Sequence, residues 1–176
     1  MAKRPKQLIP KAHLSAIGAV AVNWTALENL MEQTILGLYE IDLGRGLVFT
    51  ANLSFHSRLS MLRFLAGDDG VIKDAALAKQ TNDLLNEIDK AFGDRNFIIH
   101  GSWFPVKDKP GHVHRMSVRA RGKKLQTFSR HYSAADLQRV ADRIGDLVGD
   151  LFDIAERLDI RRRLAAAPKH SSSASQ

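Results

Sequence analysis

The chain has no cysteine among its 176 residues. That excludes disulfides, a thiol nucleophile and cysteine-ligated zinc, and it fits a reducing compartment such as the cytoplasm. No stretch approaches the roughly 20 apolar residues of a membrane span. The opening MAKRPKQLIPKAHLSAIGAVAV imitates a secretory leader, with a basic start, a short apolar stretch and an Ala-x-Ala. The same apolar pattern runs on through Trp24, Leu27, Met31 and Ile35, so the segment is read as the start of a helix in a cytoplasmic protein.

Acid is missing from both ends and nearly missing from one internal segment. Residues 1–13 and 161–176 each hold four Lys/Arg and no Asp or Glu. Removing those eight cations from the net charge of +7 leaves residues 14–160 at −1. Within them, 102–131 carries eight Lys/Arg against Asp108 alone, a local +7, so the rest of that stretch stands at −8. The position of positive charge matters more than its total for choosing a partner. The reading is an acidic helical body of one domain over 14–160, a basic insertion at about 102–131 and two basic ends. The end from 161 is Ser-rich and without period, and it is expected to be disordered.

What is present is helical periodicity. From Ile17 apolar residues fall at 17, 20, 24, 27, 31, 35 and 38, steps of three and four that draw one stripe along a helix of about 25 residues. A second helix is expected from about Gly46 to Ala66, with Leu47, Ala51, Leu59, Leu62 and Leu65 inward, and a third from about Val71 to Phe92. Beyond it, two courses stay open: a new turn capped by Asp94, or one helix passing through Gly93. SWFPV, HVHRMSV and LQTFSRHY are short, β-branched or aromatic, and separated by KDKPG and RGKK, which are turn sequences. They predict an antiparallel hairpin or three-stranded flap. Ser133 and Asp136 have the spacing of a capping box for a last long helix with its stripe at 137, 140, 144, 147, 151, 154 and 158. The fold expected is mainly α, a four-to-five-helix up-down bundle with a small antiparallel β-hairpin insertion before the last long helix.

RNFIIHG, residues 95–101, places an arginine, a carboxamide and a histidine in an otherwise apolar helical run. Burying such groups without partners costs a few kcal/mol each, so they must be satisfied or kept wet and used. Asn96 lies one turn below His100, whereas Arg95 and His100 stand about 140° apart on an ideal helix. One helix aims that pair poorly at a single atom; two copies around a twofold axis would gather both pairs in one cleft. The set suits a phosphodiester: an arginine such as Arg95 can grip phosphate oxygens, a histidine such as His100 is the residue type suited to proton transfer, and Asn96 can fix the imidazole tautomer. With RNA, a histidine can take the 2′-OH proton for attack on the adjacent phosphorus without a metal, leaving 2′,3′-cyclic phosphate and 5′-OH ends.

Arg95-Asn96-Phe97-Ile98-Ile99-His100, followed by Gly101 and late in a helical pattern, resembles the signature of the HEPN superfamily. The resemblance implies a compact, usually dimeric helical bundle. Many such bundles are metal-independent ribonucleases of toxin-antitoxin, phage-defence and RNA-processing systems. It further implies Arg95 and His100 as the catalytic pair, Asn96 as their polar support, RNA as substrate, an antitoxin as a possible protein partner and no cofactor. The basic insertion is not part of the minimal HEPN pattern.

Two other readings stand beside the catalytic one. His100 and Gly101 can end a helix, with Gly101 left-handed and Arg95 paired to Asp94 or Asp89. Alternatively, the chain is a noncatalytic HEPN-like dimer module that binds nucleic acid, a nucleotide or a partner protein. Glu28, one turn after Trp24, and Asp94 are candidate supports for Arg95. Arg115, Arg119, Arg121, Lys123, Lys124 and Arg130, interleaved with Trp103, Phe104, Phe128 and Tyr132, are the candidate RNA-binding surface. His56 and Arg58 are read as surface residues. His112, His114 and His131 sit in too basic a neighbourhood for a metal. Arg163 and His170 form a second arginine-to-histidine pair, Arg-x6-His across Pro168, which shows how little a bare pairing of the two residue types carries without context.

Overall fold

A computed structural model describes residues 8–122 and 124–167. Its elements run α1 (Lys11–Leu38), α2 (Leu43–Thr50), α3 (Phe55–Leu65), α4 (Ala75–Ile99), β1 (Ser102–Pro105), β2 (His112–Arg121), β3 (Lys124–Ser133), α5 (Ala134–Arg157) and α6 (Ile160–Ala166). The protein is mainly helical with one small antiparallel sheet in the order β1-β2-β3. None of its described helices is long and apolar enough to cross a membrane.

Of the described residues, those within 8–25 and 90–146 form one compact unit, and those within 26–89 and 147–167 form another. Length and composition predict a single domain. They carry no signal of a division because the boundaries fall inside α1, α4 and α5 rather than in linkers.

In the first unit, Ala16, Val20, Trp24, Ala91, Ile98, Val113, Leu137, Ala141 and Ile144 are buried. Burying a large apolar side chain contributes roughly 1.5–3 kcal/mol, so the periodic stripes of α1, α4 and α5 supply the main stabilisation here. Trp24 lies against Phe92, with ring centroids 5.8 Å apart, and Asn23 donates from Nδ2 to the Ala141 carbonyl at 2.9 Å. The β2–β3 register pairs His114 with His131, Arg115 with Arg130 and Ser117 with Phe128. Directly opposite residues share a face, so Val113, Arg115, Ser117, Phe128, Arg130 and Tyr132 lie on one side of the sheet. The turns predicted at KDKPG and RGKK hold Gly111 and Gly122 at positive φ, where a side chain is strained.

In the second unit the core is Leu27, Met31, Ile35, Leu59, Leu62, Leu65, Leu85, Ile88, Leu151 and Ile154. The second expected helix is two. The Asp42 carboxylate accepts from Arg45 N and starts α2 early, while Ser54 Oγ accepts from Ser57 N and starts α3 afresh. Gly46 and Thr50 face inward, and Leu47 and Ala51 are exposed, the reverse of the expected facing. A Cβ on Gly46 would lie 2.6 Å from Leu36 Cδ1, so the close approach of Leu36 decides which face of α2 is inner. α4 begins at Ala75 because Asp74 caps it, accepting from Ala76 N and Leu77 N at 2.9 and 3.0 Å.

Both ends differ from the expected boundaries. Lys11 to His13 belong to α1, and residues 1–7 of the basic extension lie outside the described residues. Residues 161–166, expected to be disordered, form most of α6, because Ile160 is buried and Arg163 donates to the Leu158 carbonyl and meets Glu40. Residues 168–176, and with them His170, lie outside the described residues.

Candidate active site and basic sheet

α4 passes through Gly93 without a break. A Cβ there would meet nothing within 4 Å, so the position demands neither a turn nor a special backbone. Asp94 is therefore a helix residue rather than a cap, and its carboxylate faces Arg143 of α5 at 3.8 Å. Asp89 pairs with Arg63 at 3.2 Å. Neither acid is the partner of Arg95.

Arg95 is half-buried, with its guanidinium carbon 5.7 Å from the centroid of the Trp24 ring. Its Nη1 donates to Asn96 Oδ1 at 2.9 Å and stands 3.2 Å from His100 Nε2. A guanidinium only donates, so a hydrogen bond in this contact requires Nε2 to be the acceptor. Arg95 Nε is buried without a hydrogen-bond partner among the described residues, and Nη1 alone makes both contacts.

The expected 140° separation is overcome within one chain. His100 lies just past the last residue of α4, its N–H still bonded to the Asn96 carbonyl at 3.1 Å, and its ring is exposed. The long arginine side chain spans the rest. Asn96 also differs from expectation: its amide oxygen holds Arg95 rather than the imidazole. Glu28 is half-buried on α1 in the second unit, and the contacts of Arg95 are with Asn96, His100 and Trp24.

Gly101 does not take the left-handed conformation of a helix-ending glycine; the positive-φ glycines are Gly111 and Gly122. Its role is space. A Cβ at Gly101 would come within 2.5 Å of Arg115 Cζ. Arg115 is 1% exposed, which corrects its assignment to the RNA-binding surface. Its position on the Val113 face of β2 turns it inward, where its guanidinium carbon lies 3.5 Å from the Phe97 ring centroid and Nη1 donates to Ser117 Oγ at 2.6 Å. Strand alternation already groups 113, 115 and 117, so the sequence held the signal for this burial.

The rest of the basic set divides. Arg130 is exposed on β3, 5.2 Å from the same Phe97 ring. Lys124 is exposed at the start of β3, opposite Arg121. Arg119 and Arg121 lie on β2, and Lys123 lies outside the described residues. Tyr132 packs on Trp103 at 5.6 Å, and burial raises its hydroxyl pKa above the usual value, against the opposing hydrogen bond and charge of Arg130. The Trp103 indole N–H donates to the Ile98 carbonyl at 3.2 Å, tying β1 to the end of α4.

Phe97 is the residue sequence reasoning passed over. It reads there as one of three apolar positions between Asn96 and His100, yet it is the ring on which two arginines converge. On the opposite face of the sheet, His114 and His131 meet edge to face with centroids 5.0 Å apart. Among the described residues no group of three or more His, Cys, Asp or Glu is arranged to hold a metal ion. His56 is exposed beside the Phe55 ring, and Arg58 donates to the Thr50 carbonyl at 3.1 Å, which ties α3 to α2. Compared with protein-family models, with curated proteins and with solved structures, the chain finds no match in any of the three.

Proposed function

We propose that the protein is a metal-independent endoribonuclease of HEPN type, a toxin or phage-defence component acting in the cytoplasm, with Arg95 and His100 as its catalytic pair. The observation that carries this reading is the 3.2 Å approach of Arg95 Nη1 to His100 Nε2 at the exposed end of α4. An arginine and an imidazole brought together without a carboxylate between them suit an anionic substrate better than a structural ion pair. In the proposed reaction a phosphate draws the guanidinium onto its oxygens and frees the Nε2 lone pair. That nitrogen takes the proton of the 2′-OH, the 2′-oxygen bonds to phosphorus, and the P–O5′ bond breaks. The departing 5′-oxygen takes up a proton from water, which gives the cyclic phosphate and the 5′-OH, and the imidazolium returns its proton to solvent. Asn96 holds Arg95 in place until the phosphate arrives.

The helical elements α1, α4 and α5, with the sheet as an insertion before α5, are proposed to follow the HEPN-like up-down arrangement. Pairing of two copies, and control by an antitoxin-type protein, belong to the same proposal. The exposed Lys124 and Arg130, with Arg119, Arg121 and Lys123, would guide RNA to the pair.

The test is cleavage of end-labelled RNA in EDTA by the wild type, Arg95→Ala and His100→Ala, with the product ends analysed. Wild-type cutting that leaves cyclic phosphates, lost in both variants while circular dichroism stays unchanged, is the expected result. Equal behaviour of the three proteins would sink the proposal and leave a noncatalytic binding module. Loss of wild-type cutting in EDTA would refute the metal-free mechanism.

A further inference from the structure

Phe97 of α4, which stands between Arg95 and His100 in sequence, borders an open groove of about 430 Å³ lined also by Thr127, Phe128, Ser129 and Arg130 of β3. That volume falls within the range of small-ligand sites, about 300–1,000 Å³. Its floor is held from below. The Phe97 ring rests on the Arg115 guanidinium, which is itself buried and bonded to Ser117, so the ring is fixed before any ligand enters. Its wall is a second ring, Phe128, 41% exposed. At its mouth stands Arg130, an exposed cation 5.2 Å from Phe97.

Among the described residues no carboxylate lines this groove, and the charge at its mouth is the Arg130 cation, which favours an anionic group beside the rings. Two aromatic rings with a guanidinium beside them match a planar ring joined to an anionic group, which is the chemistry of a nucleotide's base and phosphate. Phe97 also precedes His100 by three residues, so the two are neighbours on the helix surface.

We propose that the groove between Phe97 and Phe128 is a nucleobase subsite for single-stranded RNA, in which a base stacks on the two rings and Arg130 turns to the adjoining phosphate. A base can enter only when splayed from a helix, so the subsite makes the protein select unpaired RNA. The inference rests on the ribonuclease reading for the identity of the strand; the groove itself rests on Phe97, Phe128 and Arg130.

The test measures binding rather than cleavage. The full chain carrying His100→Ala is titrated with a short single-stranded RNA containing one 2-aminopurine, and with the same RNA made abasic at that position. Adding Phe128→Ala should weaken binding of the first RNA about five- to a hundredfold and remove the stacking quench of 2-aminopurine. It should leave the affinity for the abasic RNA nearly unchanged, because the two losses are one interaction. Phe128→Leu, which keeps apolar bulk without a π-face, serves if the alanine variant misfolds and should show the same coupling. Arg130→Gln should lower the salt slope by about 0.7. Equal weakening of both RNAs by the Phe128 variants, or absence of binding by the parent, overturns the subsite. Wild-type cleavage without coupling at Phe128 removes the subsite alone; coupling without wild-type cleavage keeps the subsite and removes the nuclease.

Discussion

Gly101 and Arg115 carry the strongest residue-scale constraint beside the motif. A methyl group at 101 would drive into a guanidinium that cannot retreat, because Arg115 is buried, stacked on Phe97 and bonded to Ser117. Overpacking of this kind costs typically 1–3 kcal/mol, so Gly101→Ala should reduce the unfolding free energy from urea denaturation by about that much. In an Arg115→Ala background the same change should cost little, and a double-mutant cycle would read the difference. Arg115→Ala should itself reduce stability by removing packed side-chain atoms while leaving the salt dependence of the proposed RNA binding unchanged. A reduced salt slope for that variant would mean that Arg115 reaches the ligand after all. At His100, the acceptor role of Nε2 predicts the Nδ1–H tautomer, checked by two-dimensional ¹⁵N NMR of the neutral imidazole in the free protein.

Elements set where these residues point. α4 reaches Arg95 only because it continues through Gly93, and glycine there weakens a helix that has no need of it. Gly93→Ala should therefore stabilise the protein by about 0.4–1 kcal/mol, measured by denaturant unfolding. A loss would show that the position bends or opens in solution. α5 begins on a reciprocal cap: Ser133 N and Oγ both donate to Asp136 Oδ2, at 2.8 and 2.7 Å, and Asp136 N donates back to Ser133 Oγ at 3.1 Å. Those bonds hold the Asp136 carboxyl below its ordinary value of 3.8. A pKa depressed by folding stabilises fully above the unfolded pKa and is lost as pH falls through the folded one. The stability gap between wild type and Asp136→Ala should therefore be constant above about pH 5 and narrow steadily below pH 3.8.

Across the whole molecule, charge and division into units matter most. The basic residues of the insertion lie on a segment whose surroundings in sequence are acidic, so polyanion binding should localise there. If RNA is the ligand as proposed, neutralising Arg119, Arg121, Lys123 and Lys124 together should reduce the salt slope of its binding by roughly 0.7 for each phosphate contact removed. An unchanged slope would assign the affinity to the ends of the chain.

The sequence by itself determined what depends on near neighbours. The stripes of α1, α4 and α5 repeat every three or four residues, and the burial of Trp24, Leu27, Met31, Leu85, Ile88, Ile144 and Leu151 follows them. The capping of α5 by Ser133 and Asp136 and the two glycine turns of the sheet were legible for the same reason, since each is a bond or a dihedral within a few residues. Only the tertiary structure decided which side chain meets which. α2 turned Gly46 inward because Leu36 lies against it, α6 formed where a low-complexity tail was expected, and Arg115 left the surface because its side of the strand faces Phe97. The meeting of Arg95 with His100 belongs to the same class. Periodicity sets the angle at which a side chain leaves its helix, but where α4 stops and which rotamer the arginine adopts depend on the packing around it, such as Trp24 at its side and Trp103 at the end of α4.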